Sequence, residues 1–156
     1  MSRIALPLLA ALATACLPAL AAPRAFVASD GSDANPCTLN SPCRNFQAAH
    51  NAVDVGGEVV ALDSAGFGSL VITKSVTIMS SPGAFAGIAV GSGDAVSIAT
   101  AGVNVVLRGL VLSNTGPGIG GGTIAGVRMS AGNSLAVENC VLSRFNSASS
   151  SPRPRG

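Results

Sequence analysis

Two stretches thirty residues apart carry apolar residues at the same places: VVLRGLVLSN from Val105 to Asn114, and LAVENCVLSR from Leu135 to Arg144. Val105, Leu107, Leu110 and Leu112 match Leu135, Val137, Cys140 and Leu142, and each copy is broken by a polar pair, Arg108-Gly109 or Glu138-Asn139. Alternation with a period of two marks a strand with one buried face, so two such runs on either side of a polar pair describe two short strands meeting at a bend. Recurrence at a fixed interval predicts that these units stack as coils, each burying its neighbour's apolar face. LVITKSVTIMS, from Leu70 to Ser80, reads as an earlier double strand, with Leu70 and Ile72, then Val76 and Ile78, around a longer corner at Lys74-Ser75.

The rest of the chain agrees with this reading. Nineteen glycines and many Val, Ile, Ala and Ser suit tight turns between short strands. Further strands are expected at Phe26–Ala28, Glu58–Asp63, Gly87–Val90, Ala95–Ala99 and Ile124–Met129, divided by turns at Ser81-Pro82-Gly83, at Gly91 to Asp94 and at Ala131-Gly132-Asn133. One helix is expected at about 42–53, with Ser41 as N-cap, Pro42 in the first turn, Phe46, Ala49 and Val53 on one face, and Gly56-Gly57 as the stop. Placed just before the coils, it would cover the apolar end of the first one. Turns recur too often for βαβ units. An antiparallel sandwich is the rival architecture, but it does not account for a corner that returns thirty residues later.

Residues 1–21 read as a secretory signal: Arg3, an apolar run from Ile4 to Leu20, then Ala19-Leu20-Ala21 before a cleavage site at Ala22. Pro7 and Pro18 and the short apolar length argue against a stable membrane span after processing. Cys16 follows Ala13-Thr14-Ala15 without the leucine of a lipoprotein site. Residues 22–146 then form one domain, and 147–156, rich in Ser, Pro and Arg, are expected to be disordered. A secreted, periplasmic or envelope location suits Cys37 and Cys43, which bracket CTLNSPC and are read as a disulfide, with two unpaired thiols as the alternative. Six basic and seven acidic residues between Ala22 and Ser150 leave the body near neutral, so no basic footprint for nucleic acid exists.

RAFVASDGSDANPC, then SPCRNFQAAHNAVDVGGEVVALDSAGFGSLVITKSVTI, resembles the opening of bacterial right-handed parallel β-helix proteins of the pectin-lyase-like superfamily. GLVLSN and ENCVLSRF resemble their repeated coil corners, and the likeness runs from about Arg24 to Phe145. It implies an all-β solenoid of a few coils with a short N-terminal cap helix. It implies little about activity, since lyases, hydrolases and adhesins share the fold.

Lyases of this fold hold calcium with acidic residues on one sheet beside a basic Arg or Lys, and the related hydrolases use two or three aspartates; both need clustered carboxylates. Here Asp63, Asp94 and Glu138 fall on different segments, so no catalytic set is expected. Arg108 and Glu138 occupy equivalent corners and read as a stacked ion pair, which Lys74 could extend. Asp30, Asp33 and Asn35 read as turn formers rather than calcium ligands, His50 as an exposed residue, and Cys140 as a buried thiol. Gly116, Gly118 and Gly121 spell G-x-G-x-x-G, but a strand-like segment follows instead of a helix, which removes the dinucleotide-binding reading. No metal or cofactor is expected.

The glycine-rich excursion, with Asn114, Thr115 and Thr123 at its ends, is together with Arg108 and Glu138 the candidate ligand groove. The absence of Trp and Tyr leaves few rings on which a sugar could stack. The expected role is a structural, adhesive or glycan-contacting module with polysaccharide or a cell-surface glycan as partner. A lyase or hydrolase acting on acidic polysaccharide is the enzymatic alternative. The last coil shows no cap, which suggests either self-association through that end or a truncated remnant of a longer protein.

Overall fold

The computed structural model describes residues 22–116 and 124–145. The described residues form twelve strands, most of them with alternating apolar residues: β1 Ala22–Val27, β2 Val53–Ala61, β3 Ala65–Gly66, β4 Leu70–Ile72, β5 Val76–Ser80, β6 Ala86–Val90, β7 Val96–Ala99, β8 Asn104–Arg108, β9 Leu110–Asn114, β10 Val127–Ala131, β11 Ser134–Glu138 and β12 Val141–Ser143. The single helix among the described residues, α1, spans Phe46–Ala52. Every pairing between these strands is parallel.

The strands form three open sheets ordered β1-β2-β5-β8-β11, β10-β7-β4 and β12-β9-β6-β3. From β4 onward each successive triplet, β4-β5-β6, β7-β8-β9 and β10-β11-β12, gives one strand to each sheet. Triplets therefore lie in layers about 4.8 Å apart, the spacing of hydrogen-bonded strands. α1 precedes β2 as β4 precedes β5, so the helix stands in the chain where the first layer would need a third strand.

Inward side chains line up in columns through this register. Val59, Ile78, Leu107 and Val137 follow one another across four strands, and Ile88, Leu112 and Leu142 across three. Ile72, Ile78, Ile88, Ile98, Leu107, Leu110 and Leu112 are fully buried. Burying each such side chain is worth about 1.5–3 kcal/mol, which makes these columns the main source of stability. The two matched stretches are direct neighbours, with Val105 beside Leu135, Leu107 beside Val137 and Leu112 beside Leu142. Their corners share a backbone solution as well: Gly109 has φ +69° and Asn139 φ +52°. A left-handed residue is needed to turn between the two sheets, and Gly or Asn supplies it at least cost.

Several sequence expectations need correction. The helix begins at Phe46 rather than Pro42, and its N-cap is Asn45, not Ser41. Cys43 is held extended by a parallel bridge to Val27, with its N–H donating to the Phe26 carbonyl at 2.9 Å, and so cannot enter a helix. Gly56-Gly57 do not stop the helix, which passes straight into β2 at Val53; the glycines lie inside that strand, where the register with β1 slips. The Lys74-Ser75 corner does not correspond to Arg108-Gly109. Val76 and Ile78 pair with Val105 and Leu107, so the earlier double strand is offset by one strand, and Met79 neighbours Arg108. Period-2 patterning marks strands but does not say which side of the stack a given strand occupies.

Candidate functional site

Where the strands turn from the five-stranded to the four-stranded sheet, the Arg108 Nε donates to Glu138 Oε2 at 2.8 Å across adjacent layers. Both side chains are nearly half exposed, so the pair is worth under about 1 kcal/mol. Lys74 does not extend this ladder: its ammonium donates to the carbonyls of Asn51 and Val53, closing the C-terminal end of α1.

The other two carboxylates of the stack are engaged elsewhere. Asp94 accepts two hydrogen bonds from the Arg128 guanidinium and one from the Ala125 N–H at 2.9 Å. The Arg128 hydrogen bond, more than anything else, holds the Asp94 carboxyl below its ordinary 3.8, against the opposing effect of burial. Asp63 accepts the Ser29 N–H at 2.8 Å and the Ser29 hydroxyl, tying the loop after β1 to the turn after β2. Asp63 follows β2 and Glu138 ends β11, three strand spacings further on, which is on the order of 14 Å. Hydrolytic carboxylate pairs sit about 5–9.5 Å apart, so these two are too far apart to share one bond-breaking step.

In the loop after β1, Asp33 and Asn35 serve the turn. Asp33 Oδ1 accepts the N–H groups of Arg44 and Asn45, each at 2.8 Å, and Asn35 donates to the Pro42 carbonyl. Burial raises the Asp33 carboxyl, but the hydrogen bonds from Asn45 and Arg44 and the Arg44 charge outweigh it, leaving it below 3.8. Among the described residues, no group of three His, Cys, Asp or Glu converges as a metal site would require. Cys37 and Cys43 form a disulfide with Cα atoms 4.6 Å apart.

Among the described residues, the candidate groove is not assembled in one place. Arg108 and Glu138 stand at the start of the β9 layer edge, while Asn114 ends β9, about 13 Å along the strand. Asn114 points inward and is buried, and its Oδ1 accepts the Gly116 N–H at 2.8 Å; it serves the turn rather than a ligand. Thr115 is exposed and its N–H donates to the Val90 carbonyl. Thr123, Gly118 and Gly121 lie outside the described residues, as do the signal segment 1–21 and the tail 147–156.

Other side chains carry roles that their positions in the sequence did not signal. Asn104 Oδ1 accepts the Asn133 amide at 2.6 Å and the Ser134 hydroxyl at 2.7 Å, and the Asn104 N–H donates to Ser75 Oγ at 2.9 Å. This ladder of amides and hydroxyls crosses the five-stranded sheet at the starts of β5, β8 and β11. A cleft of about 650 Å³ opens beside the Gly56-Gly57 irregularity, lined by Pro23, Arg24, Asp54, Val55 and Glu58, with Arg24 already paired to Glu58.

His50 is the largest departure from expectation, being fully buried. Its Nε2 accepts the Thr73 N–H at 3.1 Å, so the proton sits on Nδ1, which is buried with no partner. Burial first, and the Lys74 charge second, push its pKa down to about 4. Its place on the helix face made it look exposed, because Phe46 and Ala49 satisfied the apolar pattern without it; its partner Thr73, just after β4, lies twenty-three residues further on. Cys140 is only partly buried, since its layer is the last of the described stack. Among the described residues no helix is long and apolar enough to cross a membrane. The chain matches no protein-family profile, no curated protein and no solved structure.

Proposed function

We propose that the chain is a right-handed parallel β-helix of the pectin-lyase-like kind, exported from the cytoplasm, where it acts as a structural and glycan-contacting module without catalysis. What supports the fold is the rotation of successive strands through three parallel sheets, together with the strong preference of parallel crossovers for the right-handed turn. The Cys37–Cys43 disulfide suits an oxidising compartment outside the cytoplasm.

The observation that carries the non-catalytic reading is the separate engagement of the carboxylates: Asp63 by Ser29, Asp94 by Arg128 and Glu138 by Arg108. For glycan contact, the Asn104, Asn133 and Ser134 ladder offers amides and hydroxyls at strand spacing, the groups that exchange hydrogen bonds with sugar hydroxyls. The test applies the exported protein to an array of acidic and neutral polysaccharides and follows both binding and product release. Binding without new reducing or unsaturated ends, weakened by Asn104→Ala, is the expected result. Turnover of any polysaccharide would sink the reading. Binding lost with Thr115→Ala but kept with Asn104→Ala would move the contact to the glycine-rich excursion.

A further inference from the structure

Residues 37–50 are one short segment that reaches all three sheets at the N-terminal end of the described stack. On β1, the Phe26 N–H donates to the Cys37 carbonyl at 2.8 Å, and the Phe26 carbonyl accepts the Cys43 N–H at 2.9 Å. On β3, the Gly66 carbonyl accepts from Arg44, and the adjoining Phe67 carbonyl accepts the Phe46 N–H. On β4, Gln47 accepts the Val71 N–H at 2.8 Å, and just beyond it His50 accepts the Thr73 N–H at 3.1 Å. Docking of this segment therefore needs residues as far along the chain as Thr73.

The disulfide loop at the start of the segment needs none of them. Cys37 and Cys43 are six residues apart, and between them the Ser41 N–H donates to the Thr38 carbonyl at 3.1 Å across an antiparallel bridge. Just outside the loop, the Asn35 amide donates to the Pro42 carbonyl at 2.8 Å. Contacts this local close far sooner than those between distant strands. Cys37 also stands at φ +58°, in the left-handed region that crowds a residue with a Cβ, and the bond to Cys43 ties it there. In the docked segment Cys37 and Cys43 are 2% and 0% exposed, whereas thiol–disulfide exchange requires a sulfur that the other reagent can reach.

From these observations we infer a redox lock with a fixed order: the Cys37–Cys43 bond closes first, residues 37–50 then dock with the loop already shaped, and docking shields the bond from thiols. In closure, one cysteine thiolate attacks a small disulfide such as oxidised glutathione and releases one thiol, and the second cysteine displaces the other. The two cysteines give up two electrons and two protons in all, and the small disulfide is reduced to two thiols. A chain that docks before meeting an oxidant keeps its cysteines reduced, because the same burial shields them. The redox state at the moment of docking is thereby retained. The lock rests on the buried loop and not on glycan contact or export; on the export reading, it sets the docking of α1 after the chain has left the reducing cytoplasm.

The test uses the full chain, expressed with its leader and purified as the cell processes it. Dithiothreitol should reduce the native bond roughly a hundredfold or more slower than it reduces the chain unfolded in urea, and the slowing should match the protection of the Phe26 and Cys43 amides against exchange. When the reduced, unfolded chain is returned to buffer with oxidised glutathione, thiol trapping should find the bond formed before the Phe26, Val71 and Thr73 amides become protected. Refolded without oxidant and given oxidised glutathione afterwards, the chain should oxidise roughly a hundredfold or more slower than it does in urea. A native bond reduced as fast as the unfolded one overturns the inference, as do amide protection that appears before the bond and a refolded, reduced chain that oxidises as readily as the unfolded one. Should the reduced chain fail to fold without oxidant, the order found during oxidative refolding decides. A lock of this kind in a chain that binds no glycan would leave the inference standing, and its absence in a chain that binds glycans would leave the proposed function standing.

Discussion

Leu112 and Leu142 sit at equivalent places in two stretches of nearly the same pattern, yet one is fully buried and the other 44% exposed. The first lies in the middle of the stack and the second in the last layer among the described residues. At the opposite end, Gln47, His50, Arg44 and the disulfide-linked loop hydrogen-bond backbone groups on the outer sides of β1, β3 and β4. The contrast teaches that an alternating pattern prepares a side chain for burial without providing it. Burial is supplied by the next layer of parallel strands.

The sharpest way to test this contrast is to truncate both leucines. Leu112→Ala should destabilise the protein by roughly 2–5 kcal/mol, since it opens a cavity in a fixed column, while Leu142→Ala should cost about 1 kcal/mol or less. Urea unfolding monitored by circular dichroism measures both, and equal losses would break the distinction between middle and end.

The capped end should also be the acid-sensitive one. The His50 imidazole titrates near 6.5 when unfolded and at about 4 when folded. Between these values the unfolded chain binds a proton that the folded chain refuses. Stability present above pH 6.5 is therefore lost as pH falls toward about 4, a total of about 3 kcal/mol, since each pH unit between the two values contributes about 1.4 kcal/mol. Protonation also turns Nε2 from acceptor to donor and breaks its bond with the Thr73 N–H. His50→Gln should flatten this part of the stability curve, and exchange of the Thr73 amide should report the loosening first. An unaltered pH profile in that variant would remove His50 from the cap's energetics.

Replacing Cys37 and Cys43 together by serine should lower stability by roughly 2 kcal/mol, the loop-entropy value for a closed loop this short. Thermal unfolding measures it, and exchange of the Phe26 N–H should quicken, since that group donates to the Cys37 carbonyl. Smallest of all is the pair on the open side. A double-mutant cycle on Arg108→Ala and Glu138→Ala should yield a coupling under about 1 kcal/mol, diminishing further in salt, because both groups are well hydrated.

Much of the architecture was legible in the chain. The alternation around Arg108-Gly109 and Glu138-Asn139 revealed the strand pairs, and the thirty-residue offset became the lateral register in which Leu107 meets Val137. The ion pair and the disulfide followed from the same local logic. The helix start was misread because Ser41 and Pro42 are good local signals, overridden by the bridge that keeps Cys43 extended beside Val27. The assignment of Lys74 failed for want of knowing which sheet each strand joins; its ammonium is drawn to the end of α1. No local signal marked His50 or Gln47, whose partners come from β4 and the residue beyond it, more than twenty residues away.

What the amino-acid order determined by itself is the layer: short strands with one apolar face, corners that need a left-handed residue, and a spacing that brings successive copies side by side. These depend on neighbours in sequence, through backbone sterics and side-chain alternation. What only the tertiary structure decided is how the ends are treated. The same valines and leucines are core in one layer and more exposed in the next, because burial depends on what stacks beside them, and Gln47 and His50 at the other end meet their partners only when β4 and the residue after it pack against α1.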